Sequence, residues 1–429
     1  MNVIIEQSPH IRRKDSLNRM MGDVLIALSP VIIFALIVYQ SAALRNILVS
    51  CFTMVALEFL FVATKLLFEN ISGSKKGLAG KRLKDVYHLS NVMVPLVSGT
   101  IFGLITPATF WKADYSEIVS ANPWADGYAY LVLFVGAAFG IIVGKLIFGG
   151  TGKNIFNPAA AGFVFCKFVF GARYAVDKYT TTAFSWEIAT GSTVLHGNTN
   201  FATSFYTGTS VLDLLIGNTA GLMGETCKIA ILIGLVYLLI RHTVDWRVVA
   251  SFFGTFIFGI IFVGVVAVSY NPALNYMEFV LAQLFAGGVI FGGVFMITDP
   301  VTMPLSKPNR VLYGMIIAIC TLCFRYLATG GEHYIYEGMA FSILIGNAIT
   351  PILDYTKLSL KTFGTKEIIV MAALPVAMVT VVTLSKAGTL GLFAGAQYTP
   401  SSSSSGTGTG GTSGSWSSAL NALLPFFRF

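Results

Sequence analysis

The strongest constraint on this chain is a succession of apolar stretches, each near the ~20 residues that cross the ~30 Å hydrocarbon core of a bilayer as one helix. About eleven such stretches are legible. They centre on 22–41, 46–68, 89–108, 127–147, 155–170, 226–241, 247–269, 278–297, 311–328, 337–355 and 367–386. The fifth and sixth are short and interrupted by polar or small residues. Hydrophobic residues make up 55% of the 429, and charged residues only 11%, against roughly 25% in a soluble domain. Too little polar surface remains to coat a water-soluble fold. A soluble enzyme, a nucleic-acid reader and a disulfide scaffold are therefore excluded. The expected fold class is an all-α polytopic membrane protein. No cleavable signal peptide is expected, because the first ~20 residues are polar and basic.

The net charge of +8 becomes informative once it is divided among the loops. Arg12, Arg13, Lys14 and Arg19 precede the first stretch. Lys75, Lys76, Lys81, Arg82 and Lys84 lie between the second and third. Lys153, then Arg241 and Arg247, then Lys307 and Arg310, then Lys357, Lys361 and Lys366 follow in alternate loops. The opposite loops carry fewer: Arg45, Lys112, Arg173 and Lys178. The positive-inside rule then places the N-terminus in the cytoplasm and the long 171–225 segment outside. The basic excess reads as a topology signal, with a role in contacting anionic lipid as a further option.

The five cysteines, an odd number, lie in mostly apolar segments, which argues against a disulfide framework. Cys320 and Cys323 form a C-x-x-C within an apolar helix. Small buried helix-face residues explain them better than a redox or metal pair, and no metal site is expected.

Two stretches resemble each other. Ile101-Phe102-Gly103, Ile105-Thr106-Pro107-Ala108-Thr109, an apolar span, Gly149-Gly150-Thr151 and Asn157-Pro158-Ala159-Ala160 form the first. Ile290-Phe291-Gly292, Ile297-Thr298-Asp299-Pro300-Val301-Thr302, an apolar span, Gly330-Gly331-Glu332 and Glu337-Gly338-Met339-Ala340 form the second. An odd number of spans separates them, so the copies face opposite ways. Inverted repeats with Gly/Pro-broken segments place function at the repeat interface. Chance likeness between Gly-rich helices is the competing explanation. The expected architecture is about ten core helices in two inverted five-helix repeats, with one extra C-terminal helix.

Acidic residues inside spans cost a few kcal/mol each and are functional candidates. Glu58 sits mid-span. Asp299 and Glu337 occupy the second repeat copy. Glu225 opens the sixth stretch and Asp354 closes the tenth. All five are candidates for an Na⁺ or H⁺ pathway, since carboxylates are hard oxygen ligands. A solvated interfacial carboxylate or a helix N-cap explains Glu225 and Asp354 equally well. The outer stretch Ala189-Thr190-Gly191-Ser192-Thr193 reads by composition as a turn.

The segment from Gly144-Lys145 through Gly149-Gly150-Thr151-Gly152-Lys153-Asn154 to Asn157-Pro158-Ala159 and Gly162 resembles the signature of the RnfD/NqrB family. These are the flavin-bearing membrane subunits of the Rnf and Na⁺-Nqr respiratory complexes. Gly217-Asn218 with Gly221, Gly224-Glu225, Phe295 through Val301, Tyr336 through Met339, and Asn347 through Asp354 are similar in the same order, covering about residues 8–355. In that family a Thr in an S-G-A-T type motif carries FMN through a phosphoester. The matching stretch is Thr190-Gly191-Ser192-Thr193, which makes Thr193 the implied attachment point. Thr replaces Ser and Ser replaces Ala, while the Gly and the acceptor Thr are kept. The resemblance also implies a non-covalent riboflavin in the membrane part, with Asn154, Asn157 and Asp299 as candidate surroundings. Ser8-Pro9-His10-Ile11-Arg12 just before the first span favours the RnfD type over the NqrB type.

What the resemblance implies is a membrane electron-transfer subunit of an ion-translocating ferredoxin:NAD⁺ oxidoreductase in the bacterial plasma membrane. It is a translocase component that completes no reaction alone. Its expected partners are the other subunits, including a second flavoprotein and iron–sulfur subunits, and a flavin transferase for maturation; nucleic acid is not among them. The expected organisation is a cytoplasmic segment 1–21, a first repeat 22–170, a flavin-bearing outer loop 171–225, a second repeat 226–355, an extra span 356–400, and a Ser/Gly-rich linker with an apolar tail 401–429. A non-redox channel or transporter on the same repeat, or a scaffold without flavin, are the alternatives.

Overall fold

The computed structural model describes residues 17–71, 83–108, 125–170, 179–181, 189–191, 211–219, 221–270, 272, 275–326, 338–355, 376 and 379–381. Helix α1 (Leu17–Ile71) is followed by the short α2 (Leu83–Val86), α3 (Ser90–Ile105) and α4 (Ala125–Gly144). A 3-10 turn at Leu146–Phe148 leads to α5 (Pro158–Val169). Strands β1 (Tyr179–Thr181) and β2 (Ala189–Gly191) and helix α6 (Val211–Ile216) come next. Then follow α7 (Lys228–Ile240), α8 (Trp246–Tyr270), α9 (Tyr276–Phe285) and α10 (Val289–Phe291). A π-helical turn at Gly292–Met296 extends α10, and α11 (Lys307–Tyr326) and α12 (Met339–Tyr355) complete the order.

Helix α1 joins the first two expected spans. At ~1.5 Å per residue its 55 residues measure ~80 Å, more than twice a bilayer core. It is broken at Gln40, whose φ of 48° and ψ of −122° are non-helical. Among the described residues three helical stretches are long and apolar enough to cross a membrane: Leu17–Ile71, Gly127–Phe148 and Trp246–Ser269. The eighth expected span is bent by 56° between Tyr276–Phe285 and Val289–Met296, at a break of three residues that includes Gly287 and Gly288. Helices α5 and α7 are the short fifth and sixth stretches. Of the eleventh, only residues 376 and 379–381 are described, and they are helical.

Large apolar side chains cover the outside as well as filling the interior, and charged and polar ones are buried among them. Ile37, Phe52, Phe68 and Ile240 are each at least 70% exposed, whereas Lys145 and Asn347 are 0% exposed. Apolar side chains outside and ionisable ones inside are stable only where lipid surrounds the helices. Among the described residues the interior is dominated by one apolar cluster drawn from α1, α3–α5 and α7–α12, with a small second one at Leu214 and Ala282. Helix α1 packs on α3, α4 and α7; α11 packs on α8 and α12; and α5 is shared between α3, α4 and α12. Among the described residues the only sheet is the antiparallel β1–β2 pair, with Thr180 opposite Thr190 and Tyr179 opposite Gly191. The turn expected from composition at Ala189–Gly191 is therefore a strand, because pairing with β1 imposes an extended backbone that local propensity does not specify.

Candidate functional site: a buried charge cluster at the helix breaks

The site starts at the end of α4. Its last turn runs directly into Lys145, whose N–H still donates to Ile141 O (3.1 Å). The chain then reverses through the 3-10 turn and three glycines in the left-handed region, Gly149 (φ 113°), Gly150 (φ 91°) and Gly152 (φ 84°). A side chain at Gly149 or Gly150 would be strained there, so the Gly-Gly-Thr-Gly spacing is a backbone requirement. The reversal lets Thr151 Oγ1 donate to Glu58 Oε1 at 2.6 Å. Lys145 Nζ lies 3.1 Å from Glu58 Oε2. Both side chains are inaccessible, at 0% and 1%. Two charges at this depth are tolerated only because each offsets the other's desolvation.

Beside this pair stands a polar junction between the two halves of the chain. Asn157 is the N-cap of α5, its Oδ1 accepting from Ala159 N (3.0 Å) and Ala160 N (3.3 Å). Its Nδ2 donates to Met296 O (3.3 Å), at the end of the π-helical turn. Its backbone N donates to Asn347 Oδ1 (3.3 Å), and Asn347 Nδ2 donates to the Tyr313 hydroxyl (3.0 Å). Asp299 follows immediately, its Oδ1 accepting from Val301 N (3.1 Å) and its Oδ2 from Thr302 Oγ1 (3.4 Å). It is close enough to Lys145 to interact electrostatically. Asn154 is buried, and its Oδ1 accepts no hydrogen bond among the described residues.

A second cluster forms at the other broken segments. Glu225 is 3% exposed, and its Oε1 accepts from Leu222 N (3.1 Å). Its Oε2 packs against Gly288, where a Cβ would come within 2.8 Å. The buried Lys228 donates to Glu225 O. Thr226 Oγ1 is 2.8 Å from the Tyr39 hydroxyl, next to the break at Gln40. Gly224 N donates to Leu104 O (2.8 Å), which ties this turn to the end of α3.

The NQR2, RnfD, RnfE family model matches residues 4–79 and 123–362. The chain belongs to that family. It is 34% identical over 269 residues to the B subunit of the Na⁺-translocating NADH-quinone reductase of Chromohalobacter salexigens, which covers 60% of this chain and 57% of the relative. The corresponding subunit of Pseudomonas aeruginosa is 33% identical over 230 residues, 52% of this chain and 53% of the relative. The chain thus spans little more than half the length of these two. The subunit of the same name from Haemophilus influenzae is 28% identical over 374 residues, 82% of this chain and 87% of the relative.

Every acid and Asn of the two clusters lies within the segments matched to the NQR2, RnfD, RnfE family, as do Lys145 and Lys228. The opening part of the first copy of the internal resemblance, residues 101–109, does not, whereas its later part, residues 149–160, does. Of the residues expected from sequence, the fold brings Glu58 and Asp299 to either side of Lys145 and ties Asn157 to Met296 and Asn347, while Asn154 is buried in the loop between. Glu225 stands apart at the second cluster. Asp354 has a structural bond: its Oδ1 accepts from Leu305 N (2.9 Å) and holds the loop after Asp299 to the end of α12. Thr190 and Gly191 lie in β2; Ser192, Thr193 and Glu337 lie outside the described residues.

Sequence reasoning missed Lys145, Asn347, Tyr313, Lys228 and Arg325. Lys145 was visible only as a lone cation closing an apolar span, and it was absorbed into a motif with no role of its own. Arg325 is a second cation of that kind, 5% exposed. Its Nη1 donates to Gln283 O (2.6 Å) and its Nη2 to Ala286 O (3.2 Å), just before the bend that follows α9. In the sequence each cation precedes a Gly-Gly pair by four or five residues, Gly149-Gly150 and Gly330-Gly331.

Proposed function

We propose that this chain is the membrane electron-transfer subunit of an ion-translocating oxidoreductase of the Rnf type, which couples electron flow between ferredoxin and NAD⁺ to Na⁺ or H⁺ movement. Membership of the NQR2, RnfD, RnfE family supports the class. The observation that carries ion handling is the fully buried Glu58–Lys145 pair beneath the glycine loop, with Asp299 beside it. A carboxylate held by one tethered cation can exchange it for a mobile one, so long as the protein rearranges around the pair. Glu225 and Lys228 give a second charged station at the outer breaks. The likeness of the two broken stretches supports the inverted repeat: Thr106 Oγ1 donates to Phe102 O (2.8 Å) and Thr298 Oγ1 to Val294 O (2.6 Å), each closing a helix ahead of a proline.

Thr193 is the proposed attachment point for FMN, through a phosphoester on the extracytoplasmic side. Bound there, the flavin supplies the one- and two-electron chemistry, while the protein supplies position. Thr193 comes two residues after Gly191, the last described residue of β2, and its hydroxyl is the kind of acceptor a flavin transferase needs. The unsatisfied Asn154 Oδ1 fits a polar N–H donor, as the edge of a non-covalent riboflavin would provide. Iron–sulfur subunits and a second flavoprotein are the proposed partners, and the N-terminus and the basic loops are placed in the cytoplasm. The alternative is the NqrB component of a Na⁺-translocating NADH:quinone oxidoreductase, which the names of the relatives favour.

In-gel ultraviolet fluorescence of the denatured chain tests the flavin, after expression beside its flavin transferase. The wild-type band should fluoresce and Thr193→Ala should be dark. A dark wild-type band sinks the redox reading in favour of a plain transporter. Co-purification of ferredoxin-type subunits separates the Rnf assembly from a quinone-reducing one.

A further inference from the structure

The start of α1, the turn between α7 and α8, the loop after Asp299 and the start of α11 line a cavity of about 460 Å³. Arg19, Arg241, Arg247, Lys307 and Arg310 line it, against only two carboxylates, Asp23 and Asp245. The cations exceed the acids by three.

The acids sit behind the cations. Asp23 Oδ1 accepts from Arg241 (3.2 Å), and Asp245 accepts from Arg310 Nη1 (2.7 Å) and Arg247 Nη1 (3.4 Å). Asp23 and Asp245 keep only 7% and 10% of their side chains exposed, whereas Arg241, Arg247 and Arg310 keep 38%, 33% and 24%. The guanidinium faces therefore form the wall and the carboxylates orient them. Arg310 is fixed further by Nε donating to Pro304 O (2.9 Å). Lys307 is exposed and has no ion pair or side-chain hydrogen bond among the described residues. It also opens a 20-residue helix, whose N-terminal N–H groups favour an anion. Trp246, 59% exposed, stands at the rim with the Arg247 guanidinium 5.1 Å from its ring. An amphipathic ring beside a cation is the side-chain pair found at headgroup depth.

We infer that this basin binds a phosphoryl oxyanion, the headgroup phosphate of an anionic phospholipid being its source. Guanidinium forks match phosphate oxygens in pairs, and their ordering by Asp23 and Asp245 removes part of the entropy lost on binding. The basin lies where apolar helices end, at the depth of headgroups and within reach of their surface potential. For this role the basin needs only a membrane location, and the flavin has no part in it.

The test is native mass spectrometry of the delipidated full chain, titrated with phosphatidylglycerol and with phosphatidylcholine of the same acyl chains. Phosphatidylglycerol should bind at least about fivefold tighter, and Lys307→Glu should remove about that factor, the scale set by one cation near an anionic surface. Lys307→Arg should retain it, and Arg247→Gln should weaken binding while Lys307→Glu leaves thermal unfolding unchanged. Displacement of the lipid by millimolar inorganic phosphate would support the oxyanion site with a soluble source as well. No displacement, with the lipid preference kept, assigns it to the lipid. Equal affinity for the two lipids without any phosphate effect, or a preference untouched by Lys307→Glu, overturns the inference.

Discussion

Glu58 and Lys145 show how one residue's partner decides its chemistry. An isolated carboxylate at this depth would be neutralised or extruded toward water. Here Lys145 at 3.1 Å and the Thr151 hydroxyl at 2.6 Å orient it and offset its desolvation. Glu58→Gln leaves Lys145 buried without its counter-charge, and breaking such a pair costs about 3–5 kcal/mol. The thermal unfolding midpoint of the single variant should fall clearly. Replacing both residues, as Glu58→Gln with Lys145→Met, should recover much of it, because neither side chain then leaves a buried charge unpaired. If the pair also handles ions, electron-driven ion uptake should drop in both variants, including the one whose stability returns. Wild-type uptake in the stable double variant would confine the pair to a structural role.

At the scale of elements, the charge cluster depends on how closely α4 and α5 approach. Gly136, Gly140 and Gly144 recur every fourth residue along α4, so they share one face. Opposite them lie Pro158, Gly162 and Cys166 of α5: a Cβ at Gly140 would run into Pro158 O, and one at Gly144 would come within 3.0 Å of Pro158 Cα. This is the small-residue packing that membranes favour, where close backbone contact replaces the hydrophobic effect. It delivers Asn157, one residue before Pro158, to Met296 and Asn347. Gly140→Ala should push α5 away and destabilise by roughly 1–3 kcal/mol, as overpacking does. Gly254→Ala on α8 is the control, since no atom lies within 4 Å of its added Cβ. Equal unfolding midpoints for the two variants would show that the α4–α5 contact is slack.

Across the whole molecule, charge is sorted between a sealed interior and one end. The start of α1, the turn between α7 and α8 and the start of α11, far apart in sequence, meet at the basin around Asp245. Burial pushes the Asp245 carboxyl up, but the hydrogen bonds from Arg310 and from the Arg247 backbone N–H, with both guanidinium charges, hold it below the usual carboxylate value. The folded state thus prefers the ionised form. Its contribution to stability is complete above the unfolded value of about 4 and is lost as pH falls through the folded value. Lowering the pH from about 5 to about 3 should therefore destabilise the wild type more than Asp245→Asn, which has no proton to gain. Parallel losses in unfolding midpoint would remove Asp245 from that linkage.

The sequence by itself determined the class of solvent and most of the helices, because a bilayer demands long apolar runs and leaves few alternatives. It also exposed Glu58, Asn157 and Asp299, since polar residues in such runs stand out against their neighbours. What only the tertiary structure decided is who meets whom. Lys145 could not be paired with Glu58 from spacing, because 87 residues separate them and the reversal at Gly149–Gly152 sets the encounter. Asp354 reads in the sequence equally as an ion ligand or a helix-end carboxylate, and only the fold shows that its Oδ1 accepts from Leu305 N. Ala189–Gly191 looked like a turn until a partner strand supplied its hydrogen bonds. Apolar periodicity is a local property and survives reading one residue at a time. Counter-charges and backbone partners are chosen by packing across the chain, where only proximity in space identifies them.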